Sequence, residues 1–450
     1  MARINTVVKT RIHTHEGAPA ATINADLQLR RLTLATMLWE DQFYVDGKAI
    51  ADAIVEAAQK VSADTVAKLA VECREQQKLR HMPLFLVRGL ARRKDVAEGL
   101  VTETLAKVIQ RADELSEFLA IYWKDQPGKK TLSAQVKKGL AKAFRKFSAY
   151  DLAKYNQDNA VKLRDVLFLC HAKPKDKAQE AIWKQLVDGT LKPADTWEVN
   201  LSKGEGKKTE EQKQTVWTEM LSEKKIGALA LLRNLRNMQE ANVDDKLIKE
   251  ALNNVKVERV LPFRFIAAAR HNPKFEPELE KAMLKCLSSM EKLPGKTVLV
   301  IDVSGSMDSK VSGKSEISRM DAACGVAMLA REICDSVEVY SFSHEGKHVP
   351  ARHGFALRDA IVQSQPHGST NLMAALQLVH AREKYDRIIV ITDEQAHDGI
   401  VDPKGKGYVI NVASYQNGLG YGKWNHIDGW SEATVDFIRE LEKMEVPAAV

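Results

Sequence analysis

The sequence changes its pattern near residue 291, and this change constrains the fold more than any other feature of the chain. Before it, apolar residues recur three or four positions apart, as in LAKAFRKFSAYDLAKY, which is the period of an amphipathic helix. After it, short apolar runs such as TVLVID (297–302) alternate with helical stretches, which is typical of a parallel sheet covered by helices. The sequence therefore predicts two domains, residues 1–290 and 291–450.

The first domain is predicted to be α-helical throughout. Ala, Leu, Lys and Glu dominate it, and strict alternation of Val, Ile and Thr is absent. Polar breaks such as WKDQPGKKT (123–131) and SKGEGKKTEEQK (202–213) separate successive helices, which favours antiparallel helix pairs stacked as an α-solenoid. The sequence shows no fixed-period repeat, so an irregular helical bundle is the alternative.

The second domain is predicted to be a doubly wound α/β fold. Its predicted strands are 297–302, 336–343, 386–393 and 407–413, and its predicted helices are 319–335, 372–383 and the closing segment ATVDFIRELEKM. Open sheets of this kind bind ligands beyond the carboxyl ends of their strands. The residues just after 301 and 392 are therefore the first candidates for a site.

Oxygen-bearing side chains follow two of these strands. The pattern D-x-S-x-S places Asp302, Ser304 and Ser306 in one turn, and Asp393 ends another strand. Thr370 lies just before a helix, in a third loop. Two carboxylates and three hydroxyls are hard donors that suit one octahedral divalent cation, and Mg²⁺ is the cation that we expect.

Two other interpretations of this motif stay open. D-x-S-G-S is also the pattern of an Asx or Ser turn at the end of a strand. An aspartate in this place can be a nucleophile in phosphoryl transfer, although that chemistry usually has a second acid two residues later, where this chain has Ser304. Since the sequence shows no Walker loop, Ser-His-Asp order or H-E-x-x-H helix, we expect a metal that serves binding, and no catalytic residue.

The charge of the chain is divided unevenly. Residues 291–450 hold 17 Lys and Arg against 22 Asp and Glu, which leaves 50 basic and 38 acidic residues in 1–290 out of the chain's 67 and 60. A basic first domain suggests that this part binds a polyanion. A highly charged helical surface without a ligand is the alternative.

Cysteine and histidine usage indicates neither disulfides nor a zinc site. The five cysteines are scattered without a C-x-x-C pair, which fits reduced structural thiols. The loop histidines of the second domain, which are His344, His348, His353 and His367, are expected on the surface. The N-terminus has no apolar core of signal-peptide length, and no segment approaches the roughly 20 apolar residues that span a bilayer. We therefore expect a soluble, cytoplasmic protein.

Several segments together resemble a known family. In chain order they are THEGAPA (14–20), EDQFYVDGKAI (40–50), YDLAKYNQDNAVKLRDVLFLCHAKP (150–174), DTWEVNLS (195–202), ALALLRNLRNM (228–238) and LPFRFIAAAR (261–270). They resemble the TROVE module of the Ro ribonucleoprotein autoantigen family, and the chain is similar to its bacterial or phage-type members. The metal motif resembles the metal-ion-dependent adhesion site (MIDAS) of von Willebrand factor A domains, one of which follows the TROVE module in that family.

This resemblance implies a fold and a function. The fold is a ring of HEAT-like helical repeats closed by a von Willebrand factor A domain. The function is non-catalytic binding of small noncoding Y RNA on the outer surface of the ring, and of single-stranded 3′ ends of misfolded RNA in its central hole, in RNA quality control or stability. The partners would be these RNAs and an exoribonuclease, with neither DNA nor a membrane. The metal would be bound by Asp302, Ser304, Ser306 and Thr370, and by Asp393 directly or through a water.

The resemblance also places RNA-contacting residues in the first domain. Lys154 and His171 lie where the family has an RNA-contacting Lys and His, whereas Asp158 stands where its animal members often have a basic residue. The residues of this stretch that suit RNA are Lys154, Tyr155, Lys162, Arg164, His171 and Lys173, and a basic group one helix earlier comprises Lys137, Lys138, Lys142 and Arg145. Cations neutralise phosphates, while Tyr and His stack on unpaired bases. A solvated helix face is the alternative for each group.

A function of another class is also compatible with the sequence. The adhesion-type site could bind an acidic residue of a protein partner through its metal, which would make the chain a metal-dependent interaction scaffold. The basic domain would then serve only solubility.

Overall fold

A computed structural model of the chain describes residues 24–34, 47–125, 131–156, 159–194, 208–258, 260, 262–288, 290–311, 317–393, 400–412, 423–428 and 433–445. These residues form two compact units. The helical unit comprises residues 52–264 and 268–278, and the α/β unit comprises residues up to 51, 265–267 and those from 279 onward. No helix in the described ranges has the length and apolar character needed to cross a membrane.

All regular structure described before residue 288 is helical. The helices are α1 Ala25–Leu34, α2 Gly47–Gln59, α3 Ala63–Glu75, α4 His81–Ala91, α5 Leu100–Val108, α6 Asp113–Trp123, α7 Ala134–Phe144, α8 Ala149–Tyr155, α9 Leu163–Cys170, α10 Lys177–Asp188, α11 Glu210–Ser222, α12 Ala228–Glu240, α13 Asp245–Asn253, α14 Phe263–His271 and α15 Glu276–Leu287, with a short 3₁₀ turn at Pro273–Phe275. The prediction of a helical first part is confirmed.

Alternate helices of the helical unit stack on one another. Helix α3 packs against α5, α5 against α7 and α7 against α9, while α4 packs against α6. Each helix buries an apolar stripe, as α5 does with Val101, Leu105 and Val108. This stacking of alternate helices is that of an α-solenoid. Closure of the solenoid into a ring stays a prediction.

Polar caps fix where the helices near the predicted RNA residues begin. The Ser148 hydroxyl accepts the Asp151 N–H at 3.2 Å, and the Asp151 carboxylate accepts the Ser148 N–H at 3.0 Å, which makes a capping box at the start of α8. Asp176 caps α10 by accepting the Gln179 N–H at 2.8 Å. These caps satisfy N–H groups that a helix leaves without internal partners.

A buried ion pair joins two helices of the helical unit. Glu114 on α6 is fully buried and accepts a 2.6 Å hydrogen bond from Arg74 Nη2 on α3. Its second carboxylate oxygen accepts the N–H groups of Gln110 and Arg111 at 2.8 and 3.0 Å. Burial raises the pKa of Glu114, and the positive charge of Arg74 opposes that rise. The carboxylate therefore depends on its donors to remain ionised inside the unit.

The α/β unit is built on a six-stranded sheet. Its strands are β1 Leu293–Asp302, β2 Cys334–Phe342, β3 Gly346–Val349, β4 Arg387–Thr392, β5 Lys406–Asn411 and β6 Trp424–Asp428, and its later helices are α16 Arg319–Ile333, α17 Gly354–Val362, α18 Leu372–Arg382 and α19 Ala433–Glu445. The strand order is β3-β2-β1-β4-β5-β6, and all neighbours are parallel except β2 and β3. The predicted doubly wound α/β fold is confirmed.

The structure adds elements that the sequence analysis did not predict. Strands β3 and β6 lie at the two edges of the sheet, and their sequences GKHV and WNHID lack the apolar run that marked the inner strands. Helix α17 was also not predicted. Within the α/β unit, α1 packs against α19. The division of the chain into domains at residue 290 stays a prediction.

Candidate metal centre and nucleic-acid interface

Four of the five predicted metal-site residues leave the sheet from two adjacent strands. Asp302 ends β1 and is followed by Ser304 and Ser306, while Asp393 comes directly after β4. Strands β1 and β4 are parallel neighbours, so both aspartates lie at the same edge of the sheet. The Ser304 and Ser306 hydroxyl oxygens are 3.2 Å apart. The structure thus brings the D-x-S-x-S turn and Asp393 together.

The loop that carries Thr370 is tied to the same edge. The Gly368 N–H donates to Ser343 Oγ at 2.8 Å, and the Asn371 N–H donates to the Ser343 carbonyl at 2.8 Å. The Gly305 N–H donates to the Gly368 carbonyl at 3.0 Å, which joins this loop to the D-x-S-x-S turn. Thr370 itself is buried. These bonds hold its loop against the ends of β1 and β2.

Asp302 is a carboxylate in a fully buried position. Its Oδ2 accepts a 2.6 Å hydrogen bond from Thr392 Oγ1, and its Oδ1 accepts the Ser304 N–H at 2.9 Å. Burial, and then the negative charge of Asp393, raise the pKa of Asp302 to about 7, although both hydrogen bonds act to lower it. The ionised form of this carboxyl group is therefore disfavoured unless a positive charge lies near it.

Arg319, the first residue of α16, places a cation at this edge. Its guanidinium is buried, and Nη1 donates to Asp393 Oδ2 at 2.8 Å. The same nitrogen lies 3.4 Å from the Ser306 carbonyl oxygen. Asp393 is fully buried. The sequence analysis missed Arg319, because its partner Asp393 is 74 positions away and no local pattern marks the pair.

The residues at this edge fit a hard divalent cation. Two carboxylates and three hydroxyls from three loops are the donors that Mg²⁺ takes. Arg319 supplies a positive charge to Asp393. Among the described residues, Asp302 accepts hydrogen bonds only from uncharged donors, so a bound cation would neutralise Asp302. Within the described ranges, no three His, Cys, Asp or Glu side chains gather as a transition-metal site would require.

The four loop histidines of the α/β unit form no common site. Three are exposed, and His367 is half-buried. One ring nitrogen of each histidine bonds a different side chain at 2.8 to 3.1 Å. The partners of His344, His348, His353 and His367 are, in order, Ser369, Glu338, Glu332 and Asp308. They are separate, as expected for surface histidines.

Helix α8 presents a cation beside two tyrosines. Lys154 is exposed, and its Nζ lies 5.4 Å from the Tyr155 ring centroid and 5.9 Å from that of Tyr150. Tyr155 is half-buried, and the Arg111 guanidinium lies 4.8 Å from its centroid. Tyr150 is 48% exposed. The more accessible ring is thus Tyr150, which the sequence analysis did not select.

The basic group on and after α7 already has partners inside the helical unit. Lys142 Nζ lies 2.6 Å from the Glu103 carboxylate on α5. Arg145 Nε donates to the Lys173 carbonyl at 2.7 Å. Lys138 is exposed, and Lys137 is half-buried. Lys142 and Arg145 therefore have structural roles whatever they bind.

Helix α9 carries the remaining predicted residues. It is preceded by Lys162, whose N–H donates to Asp165 Oδ2 at 3.0 Å. Arg164 is exposed and lies 3.9 Å from the Asp165 carboxylate. His171 caps the C-terminus of α9 in the left-handed conformation, with φ 51° and ψ 41°, and is exposed, as is Lys173.

Helices α8 and α9 both pack against α10, so the two helices lie in one part of the helical unit. A second aromatic ring missed in the sequence lies there. Phe168 of α9 is 59% exposed. In the sequence it lies in the apolar run LFLC (167–170), a pattern that predicts buried residues.

Two family models match the chain. One describes the TROVE domain and matches residues 189–321, and the other describes the Ro60 vWA domain and matches residues 296–405. The chain belongs to the Ro family. The two matched ranges overlap at 296–321, so the TROVE match of this Ro chain continues through β1 and the D-x-S-x-S turn.

A solved structure shows the Ro fold over the chain as a whole. The crystal structure of the Deinococcus radiodurans Ro (RSR) protein matches with a TM-score of 0.67 over 94% of this chain and 100% of that one, at 19% sequence identity. An aerotolerance-related membrane protein from Bacteroides fragilis is also similar, with a TM-score of 0.21 and 17% identity over 26% of this chain and 67% of that chain. Its likeness is too weak to support an inference.

The comparisons bear differently on the two sites of this Ro protein. The metal-site residues all lie inside the range matched by the Ro60 vWA model. Lys154 and His171 precede residue 189 and lie outside the TROVE match. Of the family-like segments, THEGAPA, DTWEVNLS and most of EDQFYVDGKAI lie outside the described residues, as does Asp158. The matches support an RNA-binding protein of the Ro type, and its RNA-contacting residues stay predictions.

Proposed function

We propose that this chain is a non-catalytic RNA-binding protein that binds a small noncoding, Y-like RNA on the surface formed by α8 and α9. We also propose that it binds single-stranded 3′ ends of misfolded RNA in the hole of a ring, acts in RNA quality control or stability, and presents such RNA to an exoribonuclease in the cytoplasm. The observation that carries the first proposal is the exposure of Lys154 and His171 on two helices that pack against α10.

The chemistry of this surface suits RNA. Lys154, Arg164 and Lys173 offer exposed cations for phosphates. The exposed rings of Tyr150 and Phe168 can stack on unpaired bases, which is how proteins bind the single-stranded parts of RNA. No metal or nucleophile is needed for such binding, which is why we propose no catalytic residue.

A filter-binding titration tests the RNA proposal. The probe is a small structured RNA with a single-stranded loop, and the variant is Lys154→Ala combined with His171→Ala. We expect weaker binding and a shallower dependence of affinity on salt, because each lost phosphate contact lowers the slope by about 0.7 to 0.9. The matched control is Lys213→Ala, a lysine on α11 that pairs with Glu210. Unchanged affinity in the double variant would refute this site.

A second candidate function concerns the α/β unit. We propose that Asp302, Ser304, Ser306 and Thr370 bind one Mg²⁺, with Asp393 binding it directly or through a water. The cation would supply an electrophilic position for a carboxylate of a protein partner. The observation that favours this proposal is the full burial of Asp302, to which no cationic side chain among the described residues donates, in contrast to Asp393.

Isothermal titration with Mg²⁺ tests this second proposal. We expect saturable binding to the unaltered protein and none to Asp302→Asn, which keeps the size of the side chain. Glu345→Gln serves as a control for an exposed acid of the same unit. Equal heats for the unaltered protein and Asp302→Asn would exclude the site. If the protein also purifies at low salt without nucleic acid, by the ratio of absorbance at 260 and 280 nm, the interaction scaffold becomes the better account.

A further inference from the structure

Phe168 is the most exposed large apolar side chain in the described part of the chain. It is 59% exposed, against 48% for Tyr150 and 40% for Leu229. Helix α9 uses Leu163, Val166 and other apolar residues to pack into the helical unit, so Phe168 is not needed for that packing. A single exposed apolar residue is ordinary on a protein surface, and its meaning depends on its neighbours.

Along α9 and its C-terminal cap, the near neighbours of Phe168 are Arg164, Asp165 and His171. Arg164 and Asp165 lie four and three positions before it, at spacings that put side chains on the same side of a helix. His171 follows the end of α9 as its left-handed cap, three positions after Phe168. The ion pair of Arg164 with Asp165 is a long one, at 3.9 Å between exposed groups. Along the chain, Phe168 is thus preceded by the guanidinium of Arg164 and followed by the imidazole of His171, both exposed.

We propose that Phe168 is a stacking platform for an unpaired RNA base, with Arg164 and His171 contacting the strand on either side. This inference rests on the proposed RNA-binding function and names a contact within it. An aromatic ring offers a face to any base, and cations beside it complement the phosphates that accompany the base. A protein that docks by apolar contact would need a larger apolar patch than this ring surrounded by charged residues provides.

Fluorescence anisotropy with an unstructured strand tests the proposal. The probe is a labelled oligouridylate of about 12 nucleotides, within the usual site size for single-stranded RNA. We expect Phe168→Leu to weaken binding about 5- to 100-fold, because it removes the stacking face and keeps an apolar side chain. Phe168→Trp should bind as well as the unaltered protein or better. An abasic strand of the same length should bind the unaltered protein and Phe168→Leu equally.

Salt dependence separates stacking from charge. Phe168→Leu should leave the slope of log affinity against log salt unchanged, whereas Arg164→Ala should lower it by about 0.7. Because Phe168 is exposed, circular dichroism melting should show all three variants folded like the unaltered protein.

The possible failures can be distinguished. If Lys154→Ala with His171→Ala weakens oligouridylate binding and Phe168→Leu does not, this inference is wrong and the proposed function stands. If the unaltered protein binds neither RNA probe, both are wrong. The stacking role would also be overturned if Phe168→Leu weakened binding to the abasic strand as much as to oligouridylate, because the effect would then not depend on a base. It would be overturned too if Phe168→Trp weakened oligouridylate binding as much as Phe168→Leu does, because the effect would then not depend on an aromatic face.

Discussion

Arg319 Nη1 lies 2.8 Å from Asp393 Oδ2, and both side chains are buried at the edge of the sheet where the metal site is proposed. Asp302, the other carboxylate of the site, has only uncharged hydrogen-bond donors, Thr392 and the Ser304 N–H, among the bonds described for it. Asp393 is thus neutralised by Arg319, whereas Asp302 is the acid at which we propose that an added cation binds.

Replacing Arg319 by Met should destabilise the α/β unit. Removing one partner of a buried ion pair costs about 3 to 5 kcal/mol, because the remaining charge is left in a poorly solvated place. Urea unfolding in EDTA measures this loss, and added Mg²⁺ should recover part of it by supplying positive charge near Asp393. Arg319→Lys, which keeps the charge, should lose less. A loss below about 1 kcal/mol for Arg319→Met would show that the pair contributes little.

The raised pKa of Asp302 predicts a pH dependence of stability in the absence of divalent cations. The pKa is about 7 in the folded chain against an ordinary value of 3.8. Between these values the folded state takes up a proton that the unfolded state does not, so this group makes folding more favourable as the pH falls from about 7 towards 4. The measurement is the difference in unfolding free energy between the unaltered protein and Asp302→Asn, taken in EDTA across this range. This difference should change with pH.

The direction of that difference is the test. The unaltered protein should gain stability relative to Asp302→Asn as the pH is lowered, because the Asn side chain takes up no proton. In contrast, Mg²⁺ should stabilise the unaltered protein less at lower pH, since the proton competes for the same carboxylate. Parallel pH profiles for the two proteins would contradict the raised pKa.

The left-handed conformation of His171 allows binding to be separated from stability. A residue other than Gly at φ 51° carries a steric cost, which Gly avoids. His171→Gly should therefore fold as stably as the unaltered protein, or up to about 1 kcal/mol more stably, while its RNA affinity falls. Thermal melting and filter binding on the same samples measure both. A less stable variant, or one with full affinity, would contradict this role of the imidazole.

The buried pair of Arg74 and Glu114 predicts a non-additive pair of substitutions. Arg74→Met should cost about 3 to 5 kcal/mol, because it leaves the Glu114 carboxylate without its closest cation. Combining it with Glu114→Gln should cost less than the two single losses together, since the buried charge is then gone as well. Urea unfolding of the two single variants and the double variant gives the coupling. Simple additivity would show that the pair does not act as a unit.

The sequence was informative wherever the pattern is local. The inner strands were marked by apolar runs such as RIIVIT, and the carboxyl-edge rule then placed Asp302 and Asp393 together. The edge strands β3 and β6 are short and polar, so nothing in their sequence distinguishes them from loops. Arg319 was missed because its pairing joins residues far apart in the chain. Phe168 was missed because exposure cannot be read from an apolar run whose other members are mostly core.

Photocrosslinking tests the central claim, that RNA lies on α8 and α9, most directly. The protein would be bound to a structured RNA carrying 4-thiouridine, irradiated and digested, and the crosslinked peptides identified by mass spectrometry. The account predicts crosslinks within residues 150–173, with Tyr150 and Phe168 among the attached residues, and their loss in Lys154→Ala with His171→Ala. Crosslinks confined to other helices, or none at saturating RNA, would contradict it.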